Sequence, residues 1–199
     1  MIVEPVLLVG NHIRLEPLSM RHHADLCAVG LDEGIWRWNP APVRTPEEMT
    51  AYIETALRWQ KEGTALPFAT VEKASGRAIG STRFANIDKA NLRAEIGWTW
   101  IGRQWQRTVV NTEAKYLMLR HAFEILGCIR VELKTDALND RSRAAIQRIG
   151  AKEEGILRSH VVTASGRLRD TVYFSILDSE WAAVKAGLER KLALLSSYR

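Results

Sequence analysis

Arg93-Ala94-Glu95-Ile96-Gly97-Trp98-Thr99-Trp100-Ile101, then Gly102-Arg103-Gln104-Trp105-Gln106-Arg107-Thr108, then an apolar-periodic run from Asn111 to Leu126, is the stretch whose reading decides the fold. The first piece is strand-like and the second a polar, basic turn. The third changes period: at 100° per residue Glu113, Arg120 and Glu124 lie within about 40° of one another on a largely apolar helix that Gly127 ends. Strand, loop and helix N-terminus in that order make an anion site. The first helical N–H groups lack intrahelical partners, and the helix dipole favours negative charge. Arg103 and Arg107 reinforce it. The plainer reading of the same residues is two solvated arginines and a helix capped by Asn111 or Thr112.

Upstream, Ile13, Leu15 and Leu18 suggest a short strand, and Ser19 caps a helix reaching about Gly30. Thr45-Pro46-Glu47-Glu48 opens a second helix, running to about Lys61. Pro67–Val71, Ala78–Ala85 and Arg93–Ile101 read as three successive strands. Downstream come a strand at Ile129–Thr135, a helix at Asn139–Ile149, a hairpin of Ile156–Val162 with Leu168–Leu177, and a last helix over about 179–195. The order reads as α+β with a mixed sheet, in a single domain covering 1–199.

The chain has 199 residues, 46% of them apolar, with 28 Lys and Arg against 23 Asp and Glu. That composition excludes disorder and collagen-like repeats, and the net charge of +5 favours anionic partners without naming one. Arg120 and His121 interrupt the apolar stretch after Ala114, so no membrane span is expected. No secretory signal is visible, which makes the cytoplasm the expected compartment. Cys27 and Cys128 lie in no metal or redox pattern. The acidic residues are interspersed and no basic helix stands out, so nucleic acid is not an expected partner. GxxxxGK[ST], GxGxxG, HExxH and GxSxG are all absent.

A second constellation follows. Asn139, Ser142, Ile146 and Ile149 are spaced 3, 4 and 3 apart, so two polar groups share the inward stripe of their helix with two apolar ones. A helix cap at Asn139 is the plainer role, and both roles can coexist. If the strands preceding the two helices splay apart, the helix starts flank one cleft.

The runs Ala94-Glu95-Ile96-Gly97-Trp98, Gln106-Arg107-Thr108-Val109-Val110-Asn111-Thr112-Glu113-Ala114 and Asn139-Asp140-Arg141-Ser142 with Ile149-Gly150-Ala151 resemble the GNAT superfamily of N-acetyltransferases, within it the RimJ/RimL-type branch. The resemblance extends from Ile13 to about Trp181. It implies a mostly antiparallel twisted sheet of about seven strands flanked by helices, with a V-shaped splay between the fourth and fifth. It also implies acetyl-CoA in that cleft as acyl donor. Backbone N–H groups from Arg107 through Thr108, Val109, Val110 and Asn111 to Thr112 would hold the pyrophosphate, with Gln106 opening the loop. Trp100 and Ile101 would pair by backbone with the pantetheine arm, Asn139 would hydrogen-bond it, and Ser142 would sit near the thioester sulfur. Two departures stand out: Val109 and Asn111 replace small residues of the family's loop, and Ile146 stands where many members carry a Tyr that protonates the thiolate.

Transfer to an amine needs a neutral amine, a polarised thioester and a stabilised thiolate. Strand alternation groups Glu95 with Gly97 and Thr99, opposite Ala94, Ile96, Trp98 and Trp100, which makes Glu95 the candidate base; a solvated strand Glu fits that alternation equally well. Trp36 or Trp38 is expected to line the acceptor pocket. The expected activity is direct N-acetylation of a primary amine, a protein N-terminus or a small molecule, without an acyl-enzyme. A noncatalytic CoA-binding or protein-interaction module is the rival, no metal is expected, and a homodimer stays open.

Overall fold

The computed structural model describes residues 1–197. In chain order it contains β1 (Leu8–Val9), β2 (Ile13–Pro17), a 3₁₀ turn (Met20–His22) leading into α1 (His23–Gly30), α2 (Glu33–Trp36), α3 (Pro46–Lys61), β3 (Leu66–Glu72), β4 (Ala78–Asp88) and β5 (Arg93–Ile101). Then follow α4 (Val109–Arg120) with a π turn (His121–Ile125), β6 (Arg130–Asp136), α5 (Asp140–Arg148), β7 (Lys152–Val162), β8 (Leu168–Leu177) and α6 (Asp178–Ser197). The strands form one open sheet of order β1-β2-β3-β4-β5-β6-β8-β7, antiparallel throughout except between β5 and β6. This is the expected mixed sheet with one strand more than seven. The extra strand, β1, is two residues long, too short for any alternation to announce it.

Local chemistry explains the main starts and stops. The Thr45 hydroxyl accepts from the Glu48 N–H at 3.2 Å and Pro46 opens α3, which buries Met49, Ile53 and Ala56 at helical spacing. Both sheet faces are covered. α4 and α6 bury Leu117, Met118, Trp181 and Leu188 with Ile79, Ile96 and Phe174 on one face. On the other, α1 and α3 bury Leu26, Met49 and Ile53 with Ala69 and Trp100.

The structure corrects three expectations. Helix α4 begins at Val109 because Thr108 is its cap: the Thr108 hydroxyl accepts from the Val110 N–H at 3.3 Å and donates to the Trp105 carbonyl at 2.7 Å. Neither Asn111 nor Thr112 caps it. Strand β7 starts at Lys152 and not Ile156; it is exposed along nearly its whole length, so no buried period marks its start. Glu113 is no part of a polar stripe. It is 3% exposed, and its carboxylate accepts the backbone N–H groups of Asn11, His12 and Ile13 at 2.7, 2.9 and 2.9 Å. A Cβ on Gly10 would lie 2.5 Å from Glu113 Cδ, so glycine is what admits the carboxylate there.

The feature that shapes the site is the parting of β5 from β6. They pair only through Arg93↔Arg130, Ala94↔Val131 and Glu95↔Glu132. Beyond that, β5 stays with β4 as far as Gly80↔Ile101 and β6 stays with β8 as far as Asp136↔Thr171. A bulge accompanies the parting: Trp100 faces Ser81 and Gly97 faces Arg83, so Trp98 and Thr99 together oppose Thr82, and Trp98 takes a φ of 49°. A bulge sharpens local twist, and its extra residue resets which face each later side chain occupies.

Candidate active site

At the far end of β5 the chain turns through Gln106 and Arg107, and Arg107 adopts a left-handed φ of 63° before α4 begins. Gln106 spans the gap: its Nε2 donates to the Ile101 carbonyl at 3.0 Å and its Oε1 accepts from Arg141 Nη2, at the start of α5, at 3.2 Å. Val109 and Val110 are buried, so their side chains point into the core and leave the outer side of the turn to backbone. Of the two residues that replace small ones, Val109 therefore turns its side chain away from the turn, and Asn111 is half-buried in the first turn of α4. Of the two arginines expected to reinforce it, Arg103 is turned away onto Asp32, which caps α2, and holds that carboxylate below its ordinary range. Arg107 stays exposed beside the turn.

Across the gap, the Asn139 side-chain oxygen accepts the Ser142 N–H at 3.1 Å, so Asn139 is the cap of α5. Its amide nitrogen is the part that remains for a ligand. The Ser142 side chain is half-buried, and Ile146 belongs to the apolar core with no hydroxyl to offer. From Ile96 onward one backbone edge of β5 has no β6 partner, and Trp100 and Ile101 lie on that open edge.

The other side chains converge on the sheet face toward α3. Trp98 meets Trp59 of α3 with ring centroids 5.4 Å apart, and Trp100 meets Trp36 at 5.4 Å and Tyr52 at 6.4 Å. Thr99 instead turns toward α4, where its hydroxyl accepts from Lys115 Nζ at 2.6 Å. The bulge has thus put Trp98 and Trp100 on the same face as Glu95 and Gly97, and Thr99 opposite, against strict alternation. Glu95 itself is 2% exposed: Lys134 Nζ lies 2.9 Å and Asn86 Nδ2 2.8 Å from its Oε2. Glu95 Oε1 has neither partner and lies 2.8 Å from where a Cβ on Gly97 would be.

Arg83 faces Gly97 across β4 and β5 and is 1% exposed, with its guanidinium carbon 4.8, 5.4 and 5.4 Å from the rings of Tyr52, Trp59 and Trp98. It forms no ion pair among the described residues, and its Nε and Nη2 have no hydrogen-bond partner. Each ring contributes roughly 0.5–2 kcal/mol, whereas burying a charge costs several. Further along the face, Asp136, whose side chain is fully buried, pairs with Arg167 and lies 4.0 Å from Arg169 Nε. Burial pulls the Arg169 guanidinium below its usual range, with Asp136 opposing. The β7–β8 turn meets the loop after α2, the Ala164 N–H donating to the Pro40 carbonyl at 3.2 Å and Arg167 lying over the Trp38 ring at 5.9 Å.

Residues 12–152 match the family model described as an acetyltransferase (GNAT) domain. The chain belongs to this acetyltransferase family. It is 36% identical over 110 residues to a protein of Bacillus subtilis strain 168 that bears the name ribosomal N-acetyltransferase YdaF; the match spans 55% of this chain and 59% of that one. The fold matches a GCN5-related N-acetyltransferase from Brucella melitensis with a TM-score of 0.88 at 36% identity, over 96% of this chain and 86% of that one. It also matches Mycobacterium smegmatis RimJ, solved in complex with CoA-disulfide, with a TM-score of 0.82 at 21% identity over 94% and 95% of the two chains. The chemistry that goes with the family is acetyl transfer from acetyl-CoA.

In this acetyltransferase the expected residues fall into three groups. Gln106, Arg107, Thr108, Val109, Val110, Asn111 and Thr112 lie at the turn and first helical residues of one wall, Asn139 and Ser142 at the other, and Trp100 and Ile101 on the open edge between. Glu95 lies on the sheet face toward α3, with Trp98 and Trp100. Trp36 does not belong to a pocket: it is 3% exposed, donates its indole N–H to the Gly30 carbonyl at 2.6 Å, and fills the core beneath α3. Trp38 is half-buried, at the junction of loop and hairpin. Sequence reasoning missed Arg83, Lys134, Asp136 and Arg169. The signals were there in Arg83, a lone charge in the run Ala78–Ala85, and in Glu132, Lys134 and Asp136, which alternate with Val131, Leu133 and Thr135. Among the described residues no cluster suits a metal ion, and no helix is long and apolar enough to cross a membrane.

Proposed function

We propose that this acetyltransferase moves the acetyl group of acetyl-CoA directly onto a primary amine, either a protein N-terminal α-amino group or a small-molecule amine. The observation that carries the reading is the parting of β5 from β6 after Glu95, flanked by the starts of α4 and α5. An extended acyl-pantetheine arm suits that opening, because the free edge of β5 offers it strand-like hydrogen bonds and the capped start of α4 offers N–H donors to its phosphates.

The amine nitrogen attacks the thioester carbonyl carbon, the C–S bond breaks, the amine's proton goes to a base, and the leaving thiolate is protonated. Glu95 is the base in this reading, acting through Oε1 and a water while Asn86 and Lys134 hold Oε2. Ser142 supports the thiolate, and the Asn139 amide holds the arm. Direct transfer suits the cysteines: burial pushes the Cys128 thiol up to about 11 and raises that of Cys27, so neither is a ready thiolate nucleophile. The relative named as a ribosomal N-acetyltransferase supports a protein acceptor.

The test is thiol release from acetyl-CoA with a panel of peptides and small amines. Amine-dependent release with a matching acetylated product is the expected result. CoA binding without release for any amine would leave the rival reading, a CoA-binding module.

A further inference from the structure

Seven buried side-chain polar atoms among the described residues lack a hydrogen-bond partner, and five of them lie on the α3-side face of the sheet: Arg83 Nε and Nη2, Trp100 Nε1, Arg169 Nε and Thr171 Oγ1. All five can donate. The same face carries Arg83, Lys134, Arg167 and Arg169 against Glu95 and Asp136, and both carboxylates are already engaged, Glu95 by Lys134 and Asp136 by Arg167 and the Leu138 N–H at 3.0 Å. Arg169 also lies 4.0 Å from Asp136, so among the described residues Arg83 is the cation of this face with no carboxylate beside it.

Its unpaired atoms are informative in kind. Nε–H and Nη2–H form one edge of the guanidinium plane, the two parallel donors that grip a carboxylate side-on. Tyr52, Trp59 and Trp98 gather round the guanidinium and are themselves only half-buried, so the cage is one side chain deep. Arg83 also faces Gly97, one residue before the bulge where β5 has left β6, and shares its face with Glu95. A group held there stands beside the acceptor end of the cleft.

Building on the amine-transfer reading, we propose that the acceptor is a primary amine that also carries a carboxylate, and that Arg83 receives the carboxylate through Nε and Nη2. The carboxylate can belong to a free amino acid or to an acidic residue at a peptide N-terminus. Both offer the same chemistry to the same edge, and Lys134 and Arg169 add positive charge around it.

The test compares matched acceptors on the unaltered enzyme: amino acids against their amides, and peptides beginning with Asp or Glu against those beginning with Asn or Gln. The carboxylate member of whichever pair is the true source should be preferred in kcat/KM by about 10-fold to 100-fold or more, mainly through KM, since a buried donor pair left empty penalises the amide. Arg83→Gln should bring that ratio close to one. Arg167→Gln, which removes a partly exposed charge from the same face, should leave most of the ratio in place. Equal kcat/KM for the pairs, or a preference that Arg167→Gln or 0.5 M salt abolishes as fully as Arg83→Gln does, would overturn the assignment in favour of a diffuse field. If Arg83→Gln does not fold, thermal shifts of the unaltered protein with CoA and each acceptor decide: greater stabilisation by the carboxylate member supports the proposal, equal shifts sink it. Failure of every amine to release thiol would sink the transfer reading instead, and the same thermal shifts would still decide this one.

Discussion

The sheet face that carries α4 and the face that carries α3 both bury charged groups, and they treat them differently. Toward α4, the Glu113 carboxylate receives three backbone N–H groups, and Lys115 donates to Thr99, whose hydroxyl in turn meets that of Thr82 at 2.7 Å. Toward α3, Arg83 has only aromatic rings and Glu95 is engaged through one oxygen. Buried polar groups are ordinarily satisfied, and those that are not mark stored strain or a missing ligand. The first face therefore reads as structure and the second as a binding surface, although they share the same strands.

Four substitutions would break or sharpen that contrast, beginning with the largest effect. Glu113→Ala leaves three N–H groups at residues 11–13 without their acceptor; unfolding should become easier by roughly 2–5 kcal/mol, a fall in Tm on the order of 10 °C. A variant as stable as the parent by calorimetry would mean water replaces the carboxylate at no cost.

Glu95→Gln should instead spare CoA affinity and slow amine acetylation by about 100-fold to 10,000-fold, the worth of a positioned base. The loss should shrink as pH rises and the free amine deprotonates unaided. An unchanged rate and pH profile would reduce Glu95 to the partner of Lys134.

Lys115 gives the contrast a pH dependence. Burial lowers its ammonium from 10.5 to about 7. Between those values the unfolded chain binds a proton that the folded one does not, so the penalty is complete below pH 7 and fades as pH rises toward 10.5. Lys115→Met should gain stability over the parent, by up to a few kcal/mol at pH 6, and the gain should vanish near pH 10.5. A difference that stays constant with pH, followed by denaturant titration, would show that the amine is solvated.

Asn139→Ala has the smallest expected effect on folding, roughly 1 kcal/mol for a lost helix cap. Its weight in the transfer reading is a separate loss of CoA affinity, measured by calorimetric titration below the melting range. Destabilisation without weaker binding would make Asn139 a cap and nothing more.

Much of this was legible in the chain itself. Periodicity located α3, β5, α4 and α5 within a few residues, because each has a buried stripe and a start or stop residue to mark it. Strand β5 and the helix starts at Thr108 and Asn139 carried the runs that resemble the family's motifs. Elements without a one-sided burial pattern, β1 and the first residues of β7, left nothing to read.

What the sequence determined by itself was the order of elements and the two helix starts that flank the parting of β5 from β6, because turns, caps and periods are set by neighbours along the chain. The make-up of the face toward α3 was decided only in three dimensions. One extra residue at Trp98 reset the later faces of β5, Trp36 packed into the core, and Arg83, Lys134 and Glu95 met on one face from three strands. A bulge depends on how a strand fits its partner, and the pairing of a buried charge depends on residues far away in sequence, so neither leaves a local signature.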